Sequence, residues 1–261
     1  MRLFKRTLSE FIFRRLVLKQ YSSNLLLDLQ LEAKSQTFEY IKAHMGQAPF
    51  FEKHQPLVEF AIAEATRPGL FLEFGVARGK SIRWIAKATE RTVHGFDSFE
   101  GIPEHWNGNK AGTFSRKGKP PRVPANVAFH IGLFDQSLPP FLQKFEDDVA
   151  FLHVDCDLYS STKTIFEALG PRLQPGAIVL FDEYYNFPNW QQDEFRAFQE
   201  FIQASGAEYE YICYSVTGQQ VAVRILANPV YRGEQKVLQP RAKASSEGAA
   251  STTRSPSRVE A

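Results

Sequence analysis

Cysteine, long apolar runs and excess charge are all scarce in this chain of 261 residues. Its only two cysteines are Cys156 and Cys213, and no Cys/His cluster has zinc spacing, so neither a disulfide framework nor a structural zinc site is expected. No run of about eighteen apolar residues occurs, so no transmembrane helix is predicted. The formal net charge of +2 argues against a nucleic-acid partner. These absences favour a cytoplasmic protein with two buried, reduced thiols.

Phenylalanine is abundant instead, with 23 copies, and hydrophobic residues make up 43% of the chain, which is enough for a sizeable core. Residues 1–20 are basic and place apolar side chains at helical spacing, which predicts an amphipathic helix. We interpret it as an accessory helix that packs on the domain or on a second copy of the chain, forming a homodimer. Peripheral membrane contact, or an organellar presequence, is the alternative for this segment. Two further accessory helices are predicted at 24–45 and 54–66.

From residue 70 onward, short apolar segments alternate with segments of helical pattern. This alternation predicts βαβ units and an α/β fold with a doubly wound, Rossmann-like, mostly parallel sheet. The predicted strands are 70–74, 92–96, 126–131, 149–154 and 177–181, and the predicted helices between them are 79–89, 137–146 and 161–170. The strands are apolar on both faces, as expected when helices cover both sides of the sheet.

The pattern changes after a helix predicted near 190–204. Residues 209–216 and 220–226 are typical of two strands joined by a short turn with Gly218, so we predict an antiparallel hairpin and one reversed strand. From about residue 232 large apolar residues almost disappear, which predicts a disordered tail. The predicted organisation is therefore accessory helices at 1–66, a central domain at 67–231 and a tail at 232–261.

A glycine-rich turn follows the strand at 70–74. Gly75 stands where the chain turns from strand to helix, and glycine permits the backbone angles and the close approach needed there. Gly79 stands near the helix start, where exposed N–H groups favour an anion such as a carboxylate. Asp97 ends the next strand and can accept two hydrogen bonds from a ribose diol. Together these residues predict a site for an adenosyl cofactor.

Other nucleotide-binding motifs fit this turn less well. In a P-loop ending at Gly79-Lys80-Ser81, the first glycine would have to stand at Phe74. A dinucleotide fingerprint needs G-x-G-x-x-G, and here Ala77 occupies the middle position. Glu73 would repel a pyrophosphate but suits the cationic amino group of a methionine-type cofactor. S-adenosylmethionine (SAM) therefore fits best, and an NAD-dependent oxidoreductase is the alternative enzyme.

Four sequence blocks in order resemble a known family: Glu73–Gly79, Phe96–Pro103, Asp155–Thr162 and Phe181–Tyr184. They resemble the class I SAM-dependent methyltransferases, and among these they are most similar to the macrocin/mycinamicin sugar O-methyltransferases. The resemblance covers residues 70–226 and implies the class I methyltransferase fold. It also implies transfer of a methyl group from SAM to a hydroxyl of a sugar or natural-product acceptor. A non-catalytic SAM-binding module is the alternative of a different class.

The resemblance implies a set of cofactor residues on the glycine-rich turn and at the following strand end. Glu73, Gly75, Arg78 and Gly79 are implied to bind SAM, and Asp97 to recognise its ribose. Ser81 and Ser98 are further cofactor-binding candidates.

Acidic residues follow two successive predicted strands. Asp155 ends one strand, and Asp182 and Glu183 end the next, so parallel pairing would bring their carboxylates to one edge of the sheet. Like charges this close repel unless a cation or a proton lies between them. The resemblance implies that Asp155, Asp182 and Glu183 hold Mg²⁺, although the family usually has aspartate at the Glu183 position. Alternatively, Asp155, Asp157 and Asp182 cap helices and contact only cofactor or substrate.

No motif identifies the base that removes the acceptor proton. The candidate catalytic residues are Asp155, Asp157 and His105. His105 belongs to a long segment at 105–124 that is predicted to be a lid or a disordered insertion, and a solvated loop histidine is its alternative interpretation.

Two further groups of residues have structural interpretations. The three histidines within predicted strands are expected to be core groups satisfied by hydrogen bonds; they are His94, His130 and His153. The aromatic residues that follow Glu183 are expected either to form an acceptor wall or to pack in the core; they are Tyr184, Tyr185, Phe187 and Trp190.

Overall fold

The structure, a computed structural model, describes residues 23–229. The basic segment at 1–20 and the tail at 232–261 lie outside the described residues, so the predictions made for them stay predictions. Within residues 23–229, no helix combines the length and the apolarity needed to cross a membrane. Cys156 and Cys213 are buried free thiols, as predicted.

Eight strands form a single sheet. They are β1 (Phe50–Phe51), β2 (Leu70–Phe74), β3 (Val93–Asp97), β4 (Val127–Ile131), β5 (Val149–Val154), β6 (Ile178–Phe181), β7 (Glu208–Ser215) and β8 (Val221–Ala227). The spatial order is β1-β7-β8-β6-β5-β2-β3-β4. Strand β8 runs antiparallel to both β6 and β7, and every other pairing is parallel. The predicted mostly parallel sheet with one reversed hairpin strand is therefore confirmed.

Six α-helices accompany the sheet in the described part of the chain. They are α1 (Leu25–His44), α2 (His54–Glu64), α3 (Lys80–Ala88), α4 (Phe134–Lys144), α5 (Tyr159–Leu169) and α6 (Glu194–Ser205). Helices α2 and α3 pack on one face of the sheet, and α4, α5 and α6 pack on the other. Because helices cover both faces, strands β2, β5 and β6 are buried along their whole length.

Two elements differ from the sequence prediction. Helix α4 begins at Phe134 rather than at 137, and it contains Pro139 and Pro140, which weaken the helical signal because proline cannot donate a backbone hydrogen bond. Strand β1 has only two residues, which is too short for any periodic pattern to reveal.

The position of β2 in the sheet creates a crevice. Strand β2 pairs with β3 on one side and with β5 on the other. The chain therefore adds β3 to one side of β2 and later adds β5 to the opposite side. In open α/β sheets such a switch point, at the carboxyl ends of the strands, is where ligands bind. The carboxyl ends of β2 and β5 carry Gly75 and Asp155, two of the predicted site residues.

Candidate functional site

Gly75 separates the two central strands at the switch point. Its φ is +92°, and a Cβ atom at this position would lie 1.5 Å from the backbone oxygen of Asp155. The backbone around it is paired on both sides, since Gly75 N donates to Phe96 O at 2.9 Å and Asp155 N donates to Phe74 O at 2.8 Å. Only glycine fits here, so the glycine predicted from the sequence is required by both its conformation and the close approach of β5.

Asp97 stabilises the glycine-rich turn through hydrogen bonds to its backbone. Its Oδ2 accepts hydrogen bonds from Val76 N at 2.8 Å and from Ala77 N at 2.7 Å, and its Oδ1 accepts one from Phe99 N at 2.7 Å. A carboxylate has about four acceptor positions, so roughly one remains for a ligand rather than the two expected for a ribose diol. The bonds to three backbone N–H groups also hold the carboxylate in one orientation.

A cavity of about 410 Å³ opens at the carboxyl edge of β2, β3, β4 and β5. This volume lies in the range of small-molecule and cofactor sites. Of the residues predicted for the site, six line the cavity, namely Gly75, Asp97, Ser98, Asp155, Asp157 and Glu183. The other six do not line it, namely Glu73, Arg78, Gly79, Ser81, His105 and Asp182.

Glu73 and Ser81 lie behind the cavity and contact each other. Both side chains are buried, and Ser81 Oγ donates to Glu73 Oε1 at 2.5 Å, joining β2 to the first turn of α3. Gly79 adopts a φ of +71° just before α3, with Pro121 packed against it, and Arg78 is exposed beside it. A direct contact between these four residues and the cofactor stays a prediction.

The acidic residues meet at one edge of the sheet, as expected from parallel pairing. The register pairs Val154 with Phe181, so the next residues, Asp155 and Asp182, lie side by side. Single ligand atoms of Asp155, Asp182 and Glu183 lie within 4.8 Å of one another. One side-chain oxygen of Glu183, Oε2, is buried and accepts no hydrogen bond. The longer glutamate side chain therefore reaches the cluster, and the donor set suits a small divalent cation.

Burial and mutual repulsion shift the pKa values of these acids. Burial, with the charges of Asp182 and Asp193, raises the pKa of Asp157 to about 7. Burial and Asp182 also raise the pKa of Asp155 well above its ordinary value, against the opposing effect of His153. Such shifts are typical of functional clusters and of cation sites.

Asp182 behaves differently because two imidazoles face it. Burial acts to raise its pKa, but His153 and His54 outweigh burial and hold the pKa of Asp182 well below its ordinary value. His54 Nε2 lies 2.9 Å from Asp182 Oδ1, and His153 Nε2 lies 3.8 Å from the same oxygen. The prediction that hydrogen bonds satisfy His153 is wrong, because neither of its ring nitrogens has a partner at hydrogen-bonding distance. His94 and His130 do pair with each other, at 3.1 Å.

Glu194 braces the acidic edge and was not predicted. This buried residue opens α6, where its Oε1 accepts from Cys156 N at 3.3 Å and its Oε2 accepts from Glu183 N at 3.2 Å. It thereby joins the turns that follow β5 and β6. The position of an acid at a helix start is common, so the sequence carries no signal that could have identified this role.

The segment between β3 and β4 forms a wall of the cavity. Gly101, Ile102, Pro103 and Phe114 line it. Trp106 Nε1 donates to Asp193 Oδ2 at 3.1 Å, and Ser160 Oγ donates to Glu104. These two hydrogen bonds connect the loop to the start of α6 and to α5. His105 is exposed on this loop and does not line the cavity, so its role as a base stays a prediction.

Some residues that line the cavity were not predicted from the sequence, and the aromatic acceptor wall considered after Glu183 is absent from it. The turn after β4 contributes Gly132, Leu133, Phe134 and Asp135 to the cavity, which their place after a parallel strand could have indicated. The four aromatic residues after Glu183 are buried in the core and do not line the cavity, so core packing is the correct interpretation for them.

Comparison with known proteins identifies relatives of the central part of the chain. Residues 72–184 match the family described as "Methyltransferase domain". The chain is 34% identical over 158 residues to 8-demethyl-8-(2,3-dimethoxy-alpha-L-rhamnosyl)-tetracenomycin-C 4'-O-methyltransferase of Streptomyces olivaceus. It is 31% identical over 159 residues to demethyldecarbamoylnovobiocin O-methyltransferase of Streptomyces niveus. Each match covers 50% of this chain, and the chain spans 58% and 59% of the two relatives.

Solved structures show the same fold. The calicheamicin methyltransferase CalS11 superposes with a TM-score of 0.53 at 22% identity, covering 65% of this chain and 77% of that one. The O-methyltransferase NovP superposes with a TM-score of 0.50 at 24% identity, covering 66% of this chain and 79% of that one. These similarities show the fold of a methyltransferase, and the match to the methyltransferase-domain family is confined to residues 72–184.

Proposed function

We propose that this chain is a SAM-dependent O-methyltransferase that acts on a hydroxyl group of a sugar or natural-product acceptor. The observation that carries the proposal is the cavity at the switch point, which is lined both by Gly75 and Asp97 and by the acids Asp155, Asp157 and Glu183. A cofactor bound at the turn would direct its methyl group toward that acidic edge. The named activities of the two Streptomyces relatives support this acceptor class.

The residues have distinct roles in this proposal. Asp97 and Ser98 bind the ribose, while Glu73, Gly75, Arg78, Gly79 and Ser81 shape the turn that receives the methionine end of SAM. The acceptor hydroxyl lies beside Asp157, which lines the cavity and accepts its proton. Catalysis then depends mainly on holding the oxygen nucleophile in line with the methyl group and on excluding water.

The proposal also includes a Mg²⁺ ion bound at the acidic edge of the cavity. Asp155, Asp182 and Glu183 would hold it, and the orphaned oxygen of Glu183 supports the fit. When bound, the ion supplies Lewis acidity that lowers the pKa of the acceptor hydroxyl. We expect exhaustive chelation to abolish methyl transfer and added Mg²⁺ to restore it. Full activity after chelation would remove the metal from the proposal while leaving the methyl transfer in place.

The decisive experiment separates cofactor binding from chemistry. Purified full-length protein is titrated calorimetrically with S-adenosylhomocysteine and then incubated with SAM and a panel of glycosides, with methylated products detected by mass spectrometry. We expect Asp155→Asn to keep S-adenosylhomocysteine binding but lose product, and the exposed control Asp147→Asn to keep both. Absence of S-adenosylhomocysteine binding by the folded wild type, or binding of NAD instead, would overturn the proposal.

A further inference from the structure

Buried polar atoms without hydrogen-bond partners are concentrated behind the cavity. Among the described residues, eight buried side-chain nitrogen or oxygen atoms make no hydrogen bond, and six of them belong to one cluster. These six atoms are His54 Nε2, Glu73 Oε2, His153 Nδ1, His153 Nε2, Asp182 Oδ1 and Glu183 Oε2. Within this cluster both imidazoles lie at ion-pair distance from Asp182. Native proteins leave few buried polar groups unpaired, and a group that does remain unpaired can mark the position of a bound ion.

Three of these atoms converge on one point. His54 Nε2 and Asp182 Oδ1 are 2.9 Å apart, and His153 Nε2 and Asp182 Oδ1 are 3.8 Å apart. Ligand atoms of the three residues all lie within 4.8 Å of one another. Two ligands bound at about 2.0–2.1 Å to one tetrahedral or octahedral ion lie about 2.9–3.4 Å from each other. The distance from His54 to Asp182 already matches one coordination shell, and His153 has to move closer to Asp182 by a few tenths of an ångström.

A carboxylate faces the second ring nitrogen of His153, as it does in many metal-binding histidines. Its Nδ1 faces Glu73 Oε1 at 3.6 Å, and Glu73 in turn accepts the hydrogen bond from Ser81 Oγ. Ligating histidines commonly direct the second ring nitrogen at a carboxylate, which fixes the tautomer and leaves the other nitrogen free for the ion. His54 is oriented as well, because its ring packs edge-on against Trp84 at 5.2 Å between centroids.

The local charge also favours a bound cation. Glu73, Asp182 and Glu183 belong to this cluster, and a ligand atom of Asp155 lies within 4.8 Å of Glu73 and His153. Among the ion pairs of residues 23–229 none joins a lysine or an arginine to any of these four acids. In the described part of the chain, the ion pairs of these carboxylates are made by the two imidazoles. Buried carboxylates need a compensating charge, so the cluster is incomplete without a cation or a proton.

We propose that His54, His153 and Asp182 bind a divalent transition-metal ion at a second position, behind the cavity. Two imidazole nitrogens and one carboxylate oxygen are the donors that transition metals favour, whereas Mg²⁺ favours oxygen ligands alone. The site joins the start of helix α2 to the ends of β5 and β6. Asp182 is shared with the acidic triad of the cavity, and it offers only Oδ1 to the two imidazoles. The site does not depend on the methyl-transfer proposal.

Cobalt is the probe for this site because Co²⁺ bound by nitrogen ligands absorbs visible light. Full-length protein is stripped of metal with a chelator, dialysed and titrated with Co²⁺ alone, without SAM or acceptor. We expect one equivalent of Co²⁺ to bind and to show visible d–d absorption bands typical of an ion with a low coordination number. Zn²⁺ should then displace the Co²⁺ and remove the bands. An absence of Co²⁺ binding would overturn the proposal and indicate that a proton on His153 compensates the carboxylates instead.

Variants then locate the ion. We expect His54→Ala to weaken Co²⁺ binding at least about 100-fold, and Glu73→Gln, which removes the charged partner of His153, to weaken it by about 10–100-fold. His54 suits this test because its side chain is 21% exposed, in the first turn of α2, so the substitution leaves the core intact. His94→Ala, which changes a buried histidine on another strand, is the matched control and should keep the bands.

Two further variants separate this site from the proposed magnesium site. Asp155→Asn and Glu183→Gln should keep the Co²⁺ bands, because neither side chain is a ligand of the ion, even if both lose methyl transfer. Bands that survive His54→Ala, or that disappear in Glu183→Gln, would place the ion in the acidic triad and overturn the proposal. Circular dichroism of each variant confirms that the protein remains folded.

Discussion

Both the sheet and the site depend on the absence of a side chain at Gly75. We predict that Gly75→Ala lowers the free energy of unfolding by at least about 4 kcal/mol, because the new Cβ would lie 1.5 Å from the backbone oxygen of Asp155. Urea denaturation measures the change. Gly112→Ala is the matched control, since its φ is also positive, at +84°, but no atom lies within 4 Å.

Comparison of the two variants distinguishes the cost of backbone strain from the cost of steric overlap. Gly112→Ala should cost only the backbone penalty of a positive φ, about 1–2 kcal/mol. Equal losses in the two variants would show that β5 moves aside to accommodate the methyl group, and that the close approach at Gly75 is not needed for the fold.

His94 makes the stability of the protein depend on pH. Burial, with the charges of His130 and Lys144, lowers its pKa from 6.5 to about 4. Between these two pH values the unfolded chain binds a proton that the folded chain does not, so the free energy of unfolding decreases as the pH falls from about 6.5 to about 4. Urea denaturation at several pH values should show a shallower decrease for His94→Gln than for the wild type. The exposed control His105→Gln should follow the wild type, and a wild-type slope in His94→Gln would contradict the prediction.

At the scale of elements, the strands at the site were the best predicted. Strands β2 and β5 begin and end where the sequence predicted, at 70–74 and 149–154. Each is apolar except for one residue, Glu73 in β2 and His153 in β5, and such a mainly apolar run is the signal of a strand covered on both faces. The start of α4 was missed because helix ends and internal prolines give a weak pattern.

The loop between β3 and β4 is predicted to depend on one tryptophan for its anchorage. We expect Trp106→Phe to remove the hydrogen bond to Asp193 and to lower the free energy of unfolding of the loop region by about 1–3 kcal/mol. Trypsin should then cleave faster after Lys110, Arg116 and Lys117, because these sites lie on the loop. Cleavage rates are read from digests sampled over time.

Trp190→Phe is the control for this loop prediction. It removes the same volume, but Trp190 Nε1 has no hydrogen-bond partner to lose. Loop cleavage in this variant should match the wild type. If Trp106→Phe were also cleaved at the wild-type rate, the packing of the loop rather than its hydrogen bond to Asp193 would hold it in place.

At the scale of the whole molecule, cofactor binding should stabilise the fold. A ligand that binds only the folded state adds about 2.7 kcal/mol at a concentration 100 times its Kd. We expect S-adenosylhomocysteine to raise the melting temperature, because the cavity is bounded by β2, β3, β4 and β5 at the centre of the sheet. NAD at the same concentration is the control and should leave it unchanged. A shift with NAD alone would favour the oxidoreductase alternative.

The sequence by itself determined the strands, the helices, the glycine-rich turn and the acids that end β5 and β6. These follow from local physics, because periodic burial and the backbone freedom of glycine act over a few residues. Only the tertiary structure decided what surrounds those acids. His54 and Glu194 reach Asp182 and Glu183 from helices far apart in the chain, and their positions depend on how α2 and α6 pack on opposite faces of the sheet. Long-range packing of this kind leaves no pattern in the sequence near the site. For this reason His153, expected to be a core group satisfied by hydrogen bonds, lies beside the predicted site without a hydrogen bond.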